Sequence, residues 1–95
     1  MRVASIDVGS YSCRLSVADL SNSFSLIYEE GKVTALATGL KNGNYLLEDR
    51  VNETLKVIKE YIAKAKELKA NRIILVGTEA LRRAKNADDF LRRVK

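Results

Sequence analysis

Ile6-Asp7-Val8-Gly9-Ser10-Tyr11-Ser12-Cys13-Arg14-Leu15 is the stretch that decides the fold of this chain. Apolar residues alternate with polar ones on both sides of Gly9-Ser10, which is the period of a β-strand with one buried face. The pattern predicts a first strand over Val3 to Val8 and a second over Ser12 to Val17. Because the turn between them is short, we expect the two strands to pair antiparallel.

Further elements follow on the C-terminal side. After the polar turn Ser21-Asn22-Ser23, the alternation over residues 24–29 predicts a third strand that extends the antiparallel meander. Residues 32–36 indicate a further short strand, and the glycine- and asparagine-rich residues after them an irregular loop. From Glu48, apolar residues recur at three- and four-residue steps, which predicts a helix of about six turns. They are Val51, Leu55, Ile58, Ile62, Ala65 and Leu68.

The C-terminal third begins with Arg72-Ile73-Ile74-Leu75-Val76-Gly77, an apolar run too short for a helix. It predicts a strand buried on both faces, and a helix followed by such a strand is typical of α/β folds. Thr78 can cap a short helix over residues 79–84, and Asn86 can open a last helix. A strand buried on both faces needs a neighbour on each side, so we expect the chain to be a fragment.

Composition limits the class of protein. The 95 residues, 46% hydrophobic and 31% charged, predict one modest core and no second domain. No apolar run reaches the roughly 18 to 20 residues of a membrane span, and Asp7 comes too early for a signal peptide, so we expect a cytoplasmic protein. Cys13 has no cysteine partner and the chain has no histidine, which leaves hard cations on oxygen ligands as candidate metals.

The net charge of +5 is unevenly distributed. Residues 1–55 hold five Lys or Arg against seven Asp or Glu, and residues 56–95 hold twelve against five. The basic excess suits an anionic partner such as nucleic acid or a phosphate polymer, or else a solvated helix surface. The solvated surface is favoured for Lys56, Lys59, Lys64 and Lys66. A small nucleic-acid-binding module is the weaker hypothesis, because no recognised nucleic-acid motif is present.

The turn after the first strand carries the candidate chemistry. A carboxylate at Asp7, between Ile6 and Val8, is costly to bury unless a magnesium ion, a water or the turn's own N–H groups compensate it. Gly9 lets the backbone approach an oxyanion, and successive N–H groups with a serine hydroxyl form an anion nest. Arg14 either projects to the same end of the hairpin as Asp7 and binds phosphate through two N–H groups, or is a surface arginine on the exposed face of the strand.

Two separated segments resemble one family. Met1 to Leu15 resembles the opening of the exopolyphosphatase/guanosine pentaphosphate phosphatase family. Val76 to Leu91 is similar to that family's strand-to-helix segment, in which a threonine, an alanine-leucine-arginine step and an asparagine recur in this order. The resemblance implies an α/β, ribonuclease H-like lobe of the actin, sugar kinase and heat-shock ATPase superfamily. It also implies hydrolysis of terminal phosphate from inorganic polyphosphate or guanosine pentaphosphate, with magnesium, in a cleft between two lobes.

The resemblance also assigns residues. It places Asp7 as a catalytic residue and as the contact of a magnesium ion, through water. Thr78 and Arg82 would lie beside the first phosphate loop and bind the polyanion. Tyr11 departs from the asparagine that the family more often has. The first phosphate loop itself consists of Asp7, Gly9, Ser10, Ser12 and Arg14.

Other parts of the family pattern are missing from these residues. The second phosphate loop and the glutamate that activates the attacking water do not occur in the chain. We therefore expect the remainder of a two-lobed enzyme as a partner, and little activity from the 95 residues alone. A regulatory lobe that binds phosphate without turnover is the alternative within the family. The sequence fixes no oligomeric state and leaves a homodimer open.

Overall fold

The computed structural model describes residues 1–21, 23–38 and 45–77, which form a mixed sheet with a helix against one face. The helix is α1 (Glu48–Glu67), and it separates the third and fourth strands in sequence. The first, second and fourth strands and the helix lie where the sequence predicts them, and the third strand is longer than predicted. The strands are β1 (Arg2–Val8), β2 (Ser12–Asp19), β3 (Ser25–Val33) and β4 (Arg72–Gly77).

The sheet has the strand order β3-β2-β1-β4. β1 and β2 pair antiparallel, as do β2 and β3, so the predicted meander is confirmed. β4 pairs parallel with β1, and α1 supplies the crossover connection that a parallel strand requires. β1 and β4 run in the same direction, so their C-terminal ends lie side by side. The β1–β2 turn begins at the same end of the sheet.

The core lies between the sheet and α1. Alternate residues of β1 and β2 point toward the helix and are fully buried, and each such aliphatic side chain stabilises the fold by about 1.5 to 3 kcal/mol. The opposite face of the same strands carries serines, Asp7 and Arg14. The buried members of the core include Ala4, Ile6, Val8, Cys13, Leu15, Val17, Val51, Leu55, Ile58, Tyr61 and Ala65.

The N-cap residue of helix α1 is Leu47, which makes no side-chain cap hydrogen bond, and Glu48 and Asp49 in the first turn complement the helix dipole. The helix ends at Glu67 with Leu68 as the C-cap, and the next residue, Lys69, has a φ of 62°. The N–H groups of Lys69 and Ala70 donate to the carbonyls of Lys66 and Ala65, at 3.0 Å each, as in a Schellman motif. No helix of the described residues combines the length and the apolarity that crossing a membrane requires.

The third strand differs from the prediction, since β3 continues to Val33 and residues 32–36 form no separate strand. Its helix-facing residues are polar beyond Tyr28: Glu30 accepts a hydrogen bond from the Tyr28 hydroxyl, and Lys32 pairs with Glu60 of α1 at 3.0 Å. The alternation that marks a strand is therefore absent over these residues. One 3₁₀ turn follows at residues 36–38.

The fourth strand forms where it was predicted, but its burial differs. Among the described residues β4 pairs with β1 alone, at an edge of the sheet. Ile74, Leu75 and Val76 are 44%, 37% and 44% exposed, so the expectation of a strand buried on both faces is wrong for this part of the chain. The helices predicted over residues 79–84 and from Asn86 lie outside the described residues.

Candidate functional site

The turn that joins β1 to β2 is closed by a short backbone hydrogen bond. The N–H of Gly9 donates to the carbonyl of Ser12 at 2.9 Å. A Cβ at Gly9 would lie 2.7 Å from that carbonyl oxygen, closer than real Cβ atoms approach, whereas the φ of Gly9 is not positive. The hydrogen bond that closes the turn therefore requires a glycine at this position. The sequence suggested a different reason, the close approach of the backbone to an oxyanion.

A distant segment binds the carbonyl groups of this turn. The Ser10 carbonyl accepts the N–H of Ala37 at 3.0 Å, and the Tyr11 carbonyl accepts those of Thr34 and Ala35 at 2.9 Å each. Within the described part of the chain, neither Ser10 nor Tyr11 donates its own N–H to a backbone carbonyl. The carbonyls of Ser10 and Tyr11 are thus occupied, and their two N–H groups have no backbone acceptor among the described residues. The anion nest expected from the sequence would use these N–H groups and stays a prediction.

The segment that supplies those donors, residues 34–38, is anchored on both sides. The buried Thr34 donates its hydroxyl to the Cys13 sulfur at 3.9 Å, and its carbonyl accepts a hydrogen bond from the Arg50 guanidinium at 3.3 Å. Burial raises the pKa of the Cys13 thiol. Thr38 donates both its N–H and its hydroxyl to the Ala35 carbonyl. Sequence reasoning assigned no role to this segment, because its contacts are made by backbone groups that residue types do not reveal.

Asp7 and Arg14 face each other across the β1–β2 pair. Directly opposite residues point to the same face of a sheet, so Asp7 and Arg14 share one face of the hairpin, while the binding of phosphate by Arg14 stays a prediction. Asp7 is exposed, because the alternation that buries Ile6 and Val8 turns its carboxylate the other way. The expected desolvation cost is therefore absent, and no metal is needed to offset it.

Arg14 reaches away from Asp7 toward the third strand. One of its guanidinium nitrogens donates to a Glu29 carboxylate oxygen at 2.7 Å. The guanidinium passes over Gly31, where a Cβ would lie 3.6 to 3.7 Å from its atoms. Sequence reasoning missed Glu29, since only the β2–β3 register shows that it lies on the same face as Arg14.

The oxygen ligands near the turn suit a metal ion that the protein holds through a single carboxylate. No group of three or more His, Cys, Asp or Glu side chains converges among the described residues. Asp7 provides one exposed carboxylate, which suits a magnesium ion that keeps most of its waters and takes substrate phosphates as ligands. Gly9, Ser10 and Ser12 lie in the turn with Asp7 and Arg14 beside it. Thr78 and Arg82 lie outside the described residues.

The lysines of α1 fit the solvated surface that the sequence favoured, with one exception. Lys56, Lys59 and Lys66 are exposed. Lys64 is less exposed, because its ammonium lies 5.0 Å from the centre of the Tyr28 ring and 3.4 Å from a Glu67 carboxylate oxygen.

Comparison with known proteins identifies the family. The sequence model of the Ppx/GppA phosphatase family matches residues 15–95. The chain belongs to this family. The Aquifex aeolicus member of the Ppx/GppA family has a crystal structure, and its sequence is 52% identical to this chain. The two structures superpose with a TM-score of 0.96, over all of this chain and 31% of the Aquifex aeolicus chain. An exopolyphosphatase from Cytophaga hutchinsonii shares the fold, with 23% identity and a TM-score of 0.95, over all of this chain and 31% of that chain. The α/β, ribonuclease H-like lobe is thereby confirmed.

Two curated relatives carry enzyme names. A guanosine-5'-triphosphate,3'-diphosphate pyrophosphatase of Photobacterium profundum is 31% identical over 93 residues, which are 97% of this chain and 19% of that protein. A bifunctional 3-dehydroquinate synthase/phosphatase of Fusobacterium nucleatum is 30% identical over 99 residues, 96% of this chain and 15% of that protein. The chain therefore spans less than a fifth of these relatives.

Proposed function

We propose that this chain is the N-terminal lobe of a phosphohydrolase that releases terminal phosphate from inorganic polyphosphate or guanosine pentaphosphate. Family membership supports the class of reaction, and the names of its relatives support the two substrates. The observation that carries the proposal is the turn at residues 9–12. Its carbonyls are bound by residues 34–37, while the N–H groups of Ser10 and Tyr11 are free of backbone acceptors in the described part of the chain.

In this proposal the turn binds the phosphate that is transferred or one next to it. The N–H groups of Ser10 and Tyr11 and the hydroxyls of Ser10 and Ser12 would donate to its oxygens. The guanidinium of Arg14 would neutralise charge, as would Arg82 with Thr78 beside it. Phosphoryl transfer has little covalent chemistry for a protein to perform, so positioning and charge neutralisation of this kind are the main contributions.

Asp7 is assigned the role of a catalytic residue at the mouth of the same turn. Its exposed carboxylate would hold a magnesium ion through water, with substrate phosphates as further ligands. The ion, when bound, would supply positive charge beside the phosphates. The carboxylate itself accepts hydrogen bonds from water and fixes the orientation of the molecules around it.

In this proposal the turn lines one side of a cleft, and catalysis needs groups on the opposite side as well. The missing remainder of the two-lobed enzyme would supply the opposite phosphate loop and the group that activates water. Since charge must be neutralised from several sides at once, the 95 residues alone are expected to bind phosphate and turn it over slowly or not at all.

Phosphate release by the full-length protein tests these assignments. Asp7→Ala is expected to lower kcat/KM by about a hundredfold or more, as loss of a catalytic carboxylate does. Arg14→Ala is expected to lower it by about ten- to a hundredfold, through loss of a charged hydrogen-bond donor. Asp19→Asn is the matched control, because Asp19 lies opposite Arg2 at the far end of the same hairpin.

Three outcomes would contradict parts of the proposal. Unchanged rates in both variants would remove the assigned roles of Asp7 and Arg14. A requirement for an acceptor other than water would indicate a kinase. Binding of polyphosphate without hydrolysis by the full-length protein would indicate the regulatory lobe.

A further inference from the structure

We propose that Glu29 is a built-in competitor of the substrate: its carboxylate holds Arg14, and the bound phosphate must displace it. The inference rests on the proposed function, because it concerns the affinity of the same turn for phosphate. Nothing in the family resemblance or in the names of the relatives assigns Glu29 a role. It would be a positioning residue that acts through Arg14 and touches no reacting atom.

The register of the sheet places Arg14 between two carboxylates. It lies opposite Asp7 on β1 and opposite Gly31 on β3, and Glu29 is two residues from Gly31 on the same face. Of these two carboxylates Arg14 pairs with Glu29, at 2.7 Å. In this structure the guanidinium is therefore directed away from the turn.

Gly31 leaves room for the Arg14 guanidinium to lie between β2 and Glu29. The guanidinium lies over its backbone, 3.6 to 3.7 Å from the position that a Cβ would occupy. A large side chain at residue 31 would occupy the path between Arg14 and Glu29. β3 thus provides both the carboxylate acceptor, at Glu29, and the space in which the Arg14 side chain reaches it, over Gly31.

The ion pair is weak enough for a phosphate to break. The side chains of Arg14 and Glu29 are 56% and 44% exposed, and ion pairs exposed to solvent couple weakly. A phosphate group offers the guanidinium two parallel, charge-assisted hydrogen bonds and carries more negative charge than a carboxylate. We infer that Arg14 exchanges Glu29 for phosphate as the substrate binds, and that Glu29 lowers the affinity of the empty site.

Glu30 provides a matched control within the same strand. It is adjacent to Glu29 but points to the opposite face, where its carboxylate accepts a hydrogen bond from the Tyr28 hydroxyl at 2.7 Å. Glu29→Gln and Glu30→Gln therefore remove the same charge from neighbouring positions. They differ in whether the lost carboxylate was bound to Arg14.

Binding of inorganic polyphosphate of defined length to the full-length protein tests the inference, with hydrolysis as a second readout. At low salt Glu29→Gln is expected to lower Kd and KM by about two- to fivefold, the size of an exposed ion pair, with kcat little changed. Glu30→Gln is expected to change neither constant. In an Arg14→Ala background, Glu29→Gln should lose most of its effect.

Several results would overturn the inference. An unchanged or higher Kd in Glu29→Gln would mean that Glu29 does not compete, or that it holds Arg14 in the orientation that binds phosphate. An equal gain in the Arg14→Ala background would assign the effect to general charge repulsion. If the wild-type protein binds polyphosphate and only the Glu29 effect is absent, the proposed function survives. If it binds neither polyphosphate nor guanosine pentaphosphate, both proposals fail.

Discussion

At the scale of single residues, the turn depends on the absence of one methyl group. Gly9 brings its backbone so close to the Ser12 carbonyl that a side chain cannot be accommodated. Gly31, on the neighbouring strand, has ordinary contact distances at the corresponding position. Of these two glycines beside the candidate site, the backbone geometry requires Gly9 and does not require Gly31.

Gly9→Ala should destabilise the protein by roughly 1 to 3 kcal/mol, because the turn must open to relieve a 2.7 Å contact. It should also weaken polyphosphate binding, since the N–H groups of Ser10 and Tyr11 move with the turn. Gly31→Ala should leave stability within about 0.5 kcal/mol of the wild type. Denaturation curves and polyphosphate titrations of the two variants measure both effects. Equal losses in the two variants would show that the close contact at Gly9 is not the cause.

The sequence could not predict where Arg14 is bound. Its exposed position and its side of the hairpin follow from the alternation in β2, which the sequence shows directly. Its partner depends on the pairing of β2 with β3, and that register includes a bulge at Val17 and Ala18. A pairing offset of one residue moves every side chain to the other face, so Glu29 and Glu30 exchange places until the register is known.

At the scale of elements, the segment at residues 34–38 joins the turn to the rest of the fold. It contacts the turn through backbone N–H groups and contacts α1 through Arg50. Ala35 within it has a φ of 51°, in the left-handed region that residues with a Cβ rarely adopt.

Ala35→Gly should leave stability unchanged or raise it by up to about 1 kcal/mol, because glycine adopts a positive φ without steric cost. Ala37→Gly is the control, since the φ of Ala37 is not positive and the same change there should cost about 0.5 to 1 kcal/mol. Urea denaturation of both variants compares them directly. A larger loss at Ala35 than at Ala37 would contradict the left-handed conformation.

The elements were predictable to different degrees for a physical reason. β1, β2 and α1 each bury one face against the other layer, so their apolar residues recur with the period of the element. β3 faces the helix with Tyr28, Glu30 and Lys32, whose polar ends bind one another or Glu60, and this removes the pattern. β4 is apolar after Arg72, and its composition gave no indication that it would lie at an edge of the described sheet.

At the scale of the whole molecule, Tyr61 connects the two layers. It is 1% exposed, and its hydroxyl donates a long hydrogen bond of 3.5 Å to the Cys13 carbonyl of β2. Burial raises the pKa of Tyr61 to about 12, since the phenolate would lose its hydration in the core. Folding and the protonation of this group are therefore linked.

Stability should fall as the pH rises from about 10 to about 12, because in this interval the unfolded chain ionises Tyr61 and the folded chain does not. The loss attributable to Tyr61 is about 2 to 3 kcal/mol. Tyr61→Phe should reduce the pH dependence by that amount. Urea denaturation between pH 8 and pH 12 provides the comparison, and parallel curves for wild type and Tyr61→Phe would refute the linkage.

The hydrogen bonds that residues 34–37 make to the carbonyls of Ser10 and Tyr11 have a consequence for protein engineering. A synthetic peptide of residues 6–15 would contain the whole motif and none of these donors. Its carbonyls would then be free to point at an approaching anion, which they would repel. Grafting the motif onto the hairpin of an unrelated protein would therefore require transfer of the second segment as well, about twenty residues further along the chain.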